Sequence, residues 1–347
     1  MSAKSETRWT NGLALGLVVL AVGLVGFKHL DSGTVAKIQL LNVSYDPTRE
    51  LYSELNPKFV DQYKKDTGNL VGVEQSHGGS SRQARSVADG SEAADVVTLA
   101  LPSDIESLHK RGLVADNWQQ RFGHNSQPYY STIVFVVRKG NPKNIKDWTD
   151  LTTPGIEVIT PNPKTSGNGK LSVLAAWGSV IYRGGTEDQA RDFVTKIYQN
   201  VSNLGTGARD STTTFEFGKE GDVHLTWENE AIREVAESNG ELEIVYPPVS
   251  IRAEPSVAVV DANVAKHGTA DAATAYLTYL YSDDAQELLA KDGYRPSNDD
   301  ILKKHQAQLP NIDLFPVTVV AKDWNDAQEK FFGDNGIFDV IHPSKTN

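Results

Sequence analysis

The feature that most constrains the fold is a regular alternation of short apolar runs with amphipathic segments. Residues 38–43 form an apolar run typical of a buried strand, and residues 47–67 carry apolar side chains at a spacing of four, which predicts a helix. The same order continues with a predicted strand at 70–75, a helix at 80–89 and a strand at 95–99. This alternation predicts a doubly wound α/β fold, whose ligands bind beyond the carboxyl ends of the strands.

A second series of this kind follows residues 130–138, a long β-branched run that ends at Gly140-Asn141-Pro142. Its predicted elements are a strand at 157–160, helices at 166–182 and 187–199, a strand at 222–227, a helix at 229–238 and strands at 243–246 and 256–260. Extended crossings near 130–138 and 244–260 predict two lobes, each a doubly wound sheet flanked by helices, joined by a hinge. We assign residues 37–130 and 255–310 to a discontinuous first lobe, 131–254 to a second lobe, and 311–347 to a C-terminal segment docked on the body.

The first 36 residues are predicted to be a targeting segment. Lys4 and Arg8 precede a mostly apolar stretch at 12–27, and small residues at 34–36 suit cleavage by a signal peptidase. The apolar stretch is shorter than the ~20 residues that span a bilayer, which favours a cleaved secretory signal. The alternative is an uncleaved N-terminal anchor. In either case we expect the body of the protein to be exported, in the periplasm.

Composition excludes several classes of protein. The formal net charge of −11 is not offset by any long basic run, which argues against a nucleic-acid surface. The chain contains no cysteine, which excludes disulfides, thiolate metal sites, cysteine nucleophiles and a lipid anchor on an N-terminal cysteine.

Residues 42–50 place a helix start directly after the first strand. Asp46 is a favoured N-cap residue, Pro47 suits the first helical position and Glu50 adds acidic bias to the first turn. The unpaired N–H groups and the positive end of a helix dipole can hold an anion. The segment alone is equally consistent with an ordinary capped helix.

Three further helix starts are rich in glycine and hydroxyl residues: residues 76–82, 162–170 and 205–214. Glycines let the backbone approach a ligand closely, and the adjoining helix starts supply N–H groups. The second of these segments lacks the spacing of a phosphate-binding loop, because Lys164 stands where a glycine is required and Leu171 where Ser or Thr is required. Trp227 ends a predicted strand, and its indole N–H can only donate a hydrogen bond.

No catalytic pattern accompanies these segments. The chain has no Gly-x-Ser-x-Gly elbow, no His-Glu-x-x-His, no dinucleotide fingerprint and no clustered metal ligands, and its eight histidines are scattered. We therefore predict neither an enzyme nor a metal or cofactor.

Five segments together resemble the sulfate-binding proteins that serve ATP-driven sulfate importers. They are residues 44–50, 76–80, 162–167, 207–209 and 226–231, in the same order over nearly the whole exported body. The resemblance implies a two-lobed periplasmic-binding-protein fold, like that of type II, that closes on a dehydrated sulfate without a countercharge in contact.

Carried over position by position, the resemblance also implies a set of donors to sulfate. These are the amides of Asp46, Ser80, Gly167, Asn168 and Ala208, the hydroxyl of Ser166 and the indole N–H of Trp227. Asn168 stands where the family usually has glycine. We expect the Asp46 carboxylate to cap its own helix and to face Arg209, which lies behind the site.

The chemistry of the anion agrees with such a site, because sulfate at neutral pH accepts hydrogen bonds and has no proton to donate. Hydrogen phosphate carries a proton that would face another donor, at a cost of ~1–3 kcal/mol. Thiosulfate is the nearest alternative ligand, with molybdate or tungstate more distant. The competing class is an exported enzyme acting on sulfate or phosphate esters, and an uncleaved anchor would suit a sensor. We expect a monomer that delivers sulfate to a membrane permease.

Overall fold

The computed structural model of the protein describes residues 38–342, so the predicted targeting segment lies outside the described residues. Within this part of the chain the strands are β1 Ile38–Tyr45, β2 Val71–Gly78, β3 Val96–Leu99, β4 Tyr129–Tyr130, β5 Ile133–Arg138, β6 Val158–Pro161, β7 Val201–Gly205, β8 Val223–Trp227, β9 Leu242–Val245, β10 Val249–Ile251, β11 Ser256–Val259, β12 Arg295–Pro296 and β13 Asp313–Phe315.

The helices lie between these strands and after them. They are α1 Arg49–Thr67, α2 Ser80–Ala88, α3 Pro102–His109, α4 Gly167–Tyr182, α5 Glu187–Gln199, α6 Ala208–Thr212, α7 Glu228–Glu237, α8 Asp261–His267, α9 Ala270–Tyr279, α10 Asp283–Lys291, α11 Asp299–Lys304, α12 Trp324–Ala327 and α13 Ile337–Ile341. Shorter 3-10 helices occur at Asp46–Thr48, Trp118–Gln120, Trp148–Thr152 and Val317–Val319, and π-helical turns at Thr213–Phe217 and Gln328–Phe332.

The first sheet has the strand order β11-β3-β1-β2. Strands β2 and β3 run parallel to β1, and β11 pairs antiparallel with β3. Parallel strands are covered on both faces, and β3 is accordingly buried along its whole length. Because β1, β2 and β3 are parallel, the loops that follow them open at the same edge of the sheet.

The second sheet has the strand order β7-β6-β8-β5-β9. Strands β7 and β8 run parallel to β6, whereas β5 pairs antiparallel with β8 and β9. The carboxyl ends of β6, β7 and β8 therefore meet at one edge, immediately before α4, α6 and α7. We use first lobe and second lobe for the parts built on the first and second sheets.

Two stretches of chain connect the lobes and lie side by side. Ser131 donates its N–H to the carbonyl of Ala253 (3.0 Å), and Ala253 returns the bond to Ser131 (2.9 Å). The short strands β4 and β12 pair next to this crossing. The predicted two-lobed α/β architecture with paired crossing segments is confirmed.

Helix α1 shows how the apolar pattern builds the core of the first lobe. Leu51, Leu55, Phe59 and Tyr63 are all buried, as their spacing predicts, and Gly68 ends the helix in a left-handed conformation (φ 73°). Burying one such side chain contributes ~1.5–3 kcal/mol relative to leaving it exposed.

The described residues after 311 pack against both lobes, and α12 contacts α3 of the first lobe. Strand β13 pairs with β10, and the ring of Phe331 meets Trp177 edge-on, with centroids 5.0 Å apart. Phe331 lies on the π-helical turn that directly follows α12.

Some predicted elements differ from the structure. The run at 130–138 forms two strands, β4 and β5, because Ser131 belongs to the crossing. Helix α3 was not predicted, since it is short and has little apolar periodicity.

Candidate functional site

Gly79 lies where the first lobe meets two loops of the second. A Cβ atom at this position would be 2.5 Å from the carbonyl oxygen of Thr165 and 3.1 Å from that of Thr206. Both oxygens belong to the backbone just before the starts of α4 and α6. The start of α2 is therefore in contact with the starts of both second-lobe helices.

Gly167 and Gly207 make further close contacts between the lobes. A Cβ atom at Gly167 would collide with that of Ala100 and lie 3.4 Å from that of Ser80, and one at Gly207 would collide with the carboxylate of Asp46. The 3-10 helix after β1 and the helices α2, α4 and α6 thus start in one place. Their N–H groups and dipoles make that place favourable for an anion.

At the start of α2 two amide groups remain free for a ligand. The next two amides bond back to the carbonyl of Gly79, which leaves the N–H groups of Ser80 and Ser81. The Ser80 hydroxyl is already engaged, because it donates to Asp104 (2.6 Å) and accepts from the amide of Ala100 (2.9 Å). Ser80 can therefore offer its amide, in agreement with the donor that the resemblance implies.

Ser166 is the N-cap residue of α4, and its side chain makes no capping hydrogen bond although the residue is only 2% exposed. The amide of Lys170 bonds to the Ser166 carbonyl, which leaves the amides of Gly167, Asn168 and Gly169 without an intrahelical partner. The Asn168 side chain points away from them, because its Nδ2 atom donates to the carbonyl of Leu225 in β8 (2.9 Å). Asparagine in place of glycine therefore ties α4 to β8 and keeps the amide.

Helix α6 begins at Ala208, with Gly207 as its N-cap residue in an extended conformation. The amide of Ser211 bonds to the carbonyl of Gly207 (3.3 Å), which leaves the Ala208 amide without an intrahelical partner. The π-helical turn Thr213–Phe217 continues the helix.

The prediction that Asp46 caps its own helix is wrong. Strand β1 extends through Tyr45, so Tyr45 is the N-cap residue and Asp46 is already the first residue of the 3-10 helix, with no side-chain cap. A capping side chain must precede the first helical residue. The Asp46 carboxylate instead lies against Gly207 of the second lobe. Burial raises the pKa of this carboxyl, against the opposing effect of nearby guanidinium groups.

Trp227 ends β8 and is the N-cap residue of α7. It is fully buried, and its indole N–H has no hydrogen-bond partner among the described residues. Its ring packs on Tyr45, with centroids 5.4 Å apart, so the indole lies beside the residue that precedes Asp46. A buried donor without a partner requires an explanation, and a bound acceptor supplies one.

Arg209 forms no ion pair with Asp46, although its charge is one of those that lower the pKa of that carboxyl, as expected of a residue that the carboxylate faces. Its guanidinium hydrogen-bonds to Glu50 of the first lobe and lies 3.1 Å from Glu230. Arg233 contacts the same two carboxylates, at 3.0 and 2.8 Å. Arg209 and Arg233 thus share the carboxylates of Glu50 and Glu230, whereas Arg82 and Arg49, which also act on the Asp46 carboxyl, belong to the first lobe.

A buried ion pair between the lobes was not predicted from the sequence. Lys170 Nζ lies 3.1 Å from Asp104 Oδ1, and both side chains are almost fully buried. Asp104 also accepts hydrogen bonds from Ser80 and Ser81. In the sequence Lys170 is part of the glycine-rich segment 162–170, and no residue near it indicates that its partner lies 66 residues away.

Between residues 38 and 342, no group of three or more His, Cys, Asp or Glu side chains could hold a metal ion. Over the same range, no helix is long and apolar enough to cross a membrane.

The geometry supports a binding site made of hydrogen-bond donors. Backbone amides from four helix starts, one free serine hydroxyl and one indole N–H face a region where the lobes meet. Such an arrangement can hold an anion.

Comparison with known proteins agrees with this description. The family model for bacterial extracellular solute-binding proteins matches residues 41–295. The sulfate-binding protein of Escherichia coli (strain K12) is 48% identical over 322 residues, which cover 92% of this chain and 98% of that protein. The thiosulfate-binding protein of Pseudomonas aeruginosa is 47% identical over 326 residues, covering 93% and 97%.

Solved structures show the same relationship. The sulfate-binding protein SubI from Mycobacterium tuberculosis H37Rv has a TM-score of 0.77 and 33% identity, covering 85% of this chain and 99% of that one. A ferric binding protein from Campylobacter jejuni, with a TM-score of 0.60 and 17% identity, shares the fold. The chain therefore belongs to the family of bacterial extracellular solute-binding proteins, as a two-lobed carrier of a solute and not an enzyme.

Proposed function

We propose that the protein binds sulfate between its lobes and delivers it to an ATP-driven membrane importer. The observation that carries the proposal is the meeting of four helix starts beside the unpartnered indole of Trp227. The proposed donors are the amides of Asp46, Ser80, Gly167, Asn168 and Ala208, the Ser166 hydroxyl and the Trp227 indole. Relatives named for sulfate binding support the choice of anion.

Sulfate suits this set of donors because all four of its oxygens accept hydrogen bonds. The proposed donors include no cation, and the guanidinium of Arg209 bonds instead to Glu50 and lies against Glu230, so we assign the anion's charge to the amides, the helix dipoles and the two side-chain donors. A protonated anion would place its own donor against another donor, and each such mismatch costs ~1–3 kcal/mol.

Thiosulfate is the second candidate, and the specific observation in its favour is the 47% identity to a thiosulfate-binding protein. Replacing one oxygen by sulfur keeps the two negative charges and adds no proton. The same donors therefore accept it, with a weaker acceptor at one position.

The proposal includes the organisation of the whole chain. Residues 1–36 act as a cleaved secretory signal that leaves a monomer in the periplasm. The first lobe consists of residues 37–130 and 255–310, the second lobe consists of residues 131–254, and the two lobes close on the anion. Residues 311–347 stay docked on the body of the protein. Sequencing the mature N-terminus distinguishes cleavage from an uncleaved anchor.

Titration calorimetry of the purified body with sulfate tests the proposal. We expect saturable binding of one sulfate per chain and no hydrolysis of a sulfate or phosphate ester. Absence of sulfate and thiosulfate binding, or turnover of an ester, would overturn it.

A further inference from the structure

Tyr294 and Arg295 are consecutive residues, and each bonds to a residue that adjoins a proposed donor. One of these donors lies in the first lobe and the other in the second. The Tyr294 hydroxyl donates to the carbonyl of Pro47 (2.7 Å), the residue after Asp46. Arg295 bonds through Nε and Nη2 to both oxygens of Glu228 (2.6 and 2.8 Å), the residue after Trp227.

These contacts are buried and specific. Tyr294 is 1% exposed and Arg295 is 3% exposed, while Glu228 is inaccessible to solvent. A bidentate contact between guanidinium and carboxylate fixes both distance and orientation, and a buried carbonyl with one strong donor has little freedom to turn. Glu228 also donates its amide to the carbonyl of Thr132 at the lobe crossing (3.1 Å).

A line of aromatic rings links the same two donors a second time. Tyr294 meets Tyr129 edge-on, with centroids 4.8 Å apart, and the Tyr129 hydroxyl lies 3.2 Å from that of Tyr45. The Tyr45 ring then packs on Trp227. Tyr45 immediately precedes Asp46, and Pro47 immediately follows it. A shift of Tyr294 would therefore displace the residues on both sides of Asp46.

We infer that Tyr294 and Arg295 are positioning residues of the anion site, which set the separation between the Asp46 amide and the Trp227 indole N–H. This inference rests on the proposed function. Neither side chain needs to touch the anion. They act because an anion held by donors of both lobes requires those donors at a fixed spacing, and these two consecutive residues hold one neighbour of each donor.

The test compares Tyr294→Phe with Tyr52→Phe by sulfate calorimetry and thermal unfolding. Tyr52 is a matched control in the first lobe, fully buried, with its hydroxyl 2.6 Å from that of Thr98. Each variant loses one buried hydrogen bond and keeps its ring, so we expect similar losses of Tm. We expect Tyr294→Phe to weaken sulfate binding about three- to tenfold and Tyr52→Phe to leave it unchanged.

A double-mutant cycle separates positioning from general destabilisation. If Tyr294 acts by aligning the two donors, Tyr294→Phe costs less affinity when Trp227 is already replaced by Phe. Arg295→Lys keeps the positive charge and loses the bidentate contact with Glu228, so it should also weaken sulfate binding. It replaces Tyr294→Phe as the test variant if Tyr294→Phe does not fold.

The outcomes are distinct from failure of the proposed function. Wild-type protein that binds neither sulfate nor thiosulfate removes the function itself. If the wild type binds and Tyr294→Phe has the same affinity, the positioning role alone is overturned. The same holds for unchanged affinity in Arg295→Lys where that variant replaces Tyr294→Phe. Strict additivity of the two substitutions in the double-mutant cycle would also overturn the positioning role.

Discussion

Trp227 illustrates how one residue can indicate a ligand through what it lacks. Its indole N–H is buried without a partner in the described part of the chain, at the end of β8 and directly before the start of α7. Trp177 also has a buried, unpartnered indole N–H, but its ring packs on Phe331 of the C-terminal segment. The unpaired donor indicates a ligand only together with its position.

Replacing Trp227 by Phe keeps an aromatic ring and removes one donor. We expect sulfate affinity to fall by ~1–2 kcal/mol, because the anion loses one hydrogen bond. Titration calorimetry measures the change, and Trp177→Phe is the matched control that should bind as wild type. Unchanged affinity in Trp227→Phe would remove the indole from the site.

Asp46 is a residue whose side chain and backbone have separate roles. The carboxylate lies against Gly207 and makes no cap, so the proposed contribution to binding is the amide. We expect Asp46→Asn to retain sulfate binding and to reject phosphate as before, since an asparagine leaves the amide in place. Competition calorimetry with both anions checks this, and a gain of phosphate binding would show that the carboxylate governs selectivity.

At the scale of elements, the helix starts were predictable and their meeting point was not. Apolar periodicity and turn residues predicted β1, α1 and α2 to within three residues at each end, because these signals are local. The cap at Asp46 failed because β1 continues for two more residues in register with β2, as far as the pair Tyr45 and Gly78. Contacts such as Lys170 with Asp104 depend on the tertiary fold, and only the resemblance to a family pointed to one shared site.

The close approach of α2 to the second lobe gives a prediction for Gly79→Ala. Gly79 has φ −59°, which alanine tolerates, but the new Cβ would lie 2.5 Å from the Thr165 carbonyl oxygen. We expect stability without ligand to be unchanged and sulfate affinity to fall by roughly tenfold or more, because backbone of the second lobe must move for the lobes to close.

The control for this variant is Gly123→Ala. A Cβ at Gly123 would meet only the ring of Tyr281, at 3.4 Å, and it lies outside the proposed site. Equal affinities for Gly79→Ala and wild type would contradict the closed arrangement of helix starts.

At the scale of the whole molecule, a network of charges joins the lobes beside the site. Glu50 of α1 meets Arg209 and Arg233 of the second lobe, and Glu230 completes the group. Burial pushes the pKa of Glu50 upward, but the two guanidinium groups bring it below its usual value. Burial raises the pKa of Glu230 to about 7, although the same guanidinium groups oppose it.

The raised pKa of Glu230 makes stability depend on pH. The folded protein keeps a proton on Glu230 that the unfolded chain releases near pH 4.5, so this stabilising contribution is complete below pH 4.5 and is lost as pH rises to about 7. We expect the stability of wild type relative to Glu230→Gln to fall across that range. Urea unfolding of both proteins at pH 5 and pH 7.5 measures it, and a difference independent of pH would contradict the assignment.

The central claim is that a pocket of donors selects an anion without a proton. Competition calorimetry at pH 7, with sulfate bound and thiosulfate, molybdate or phosphate added, tests it most directly. We predict that thiosulfate competes and that phosphate binds at least about tenfold more weakly than sulfate, since an unmet pair of donors costs ~1–3 kcal/mol. Phosphate that displaces sulfate with equal affinity would contradict the account.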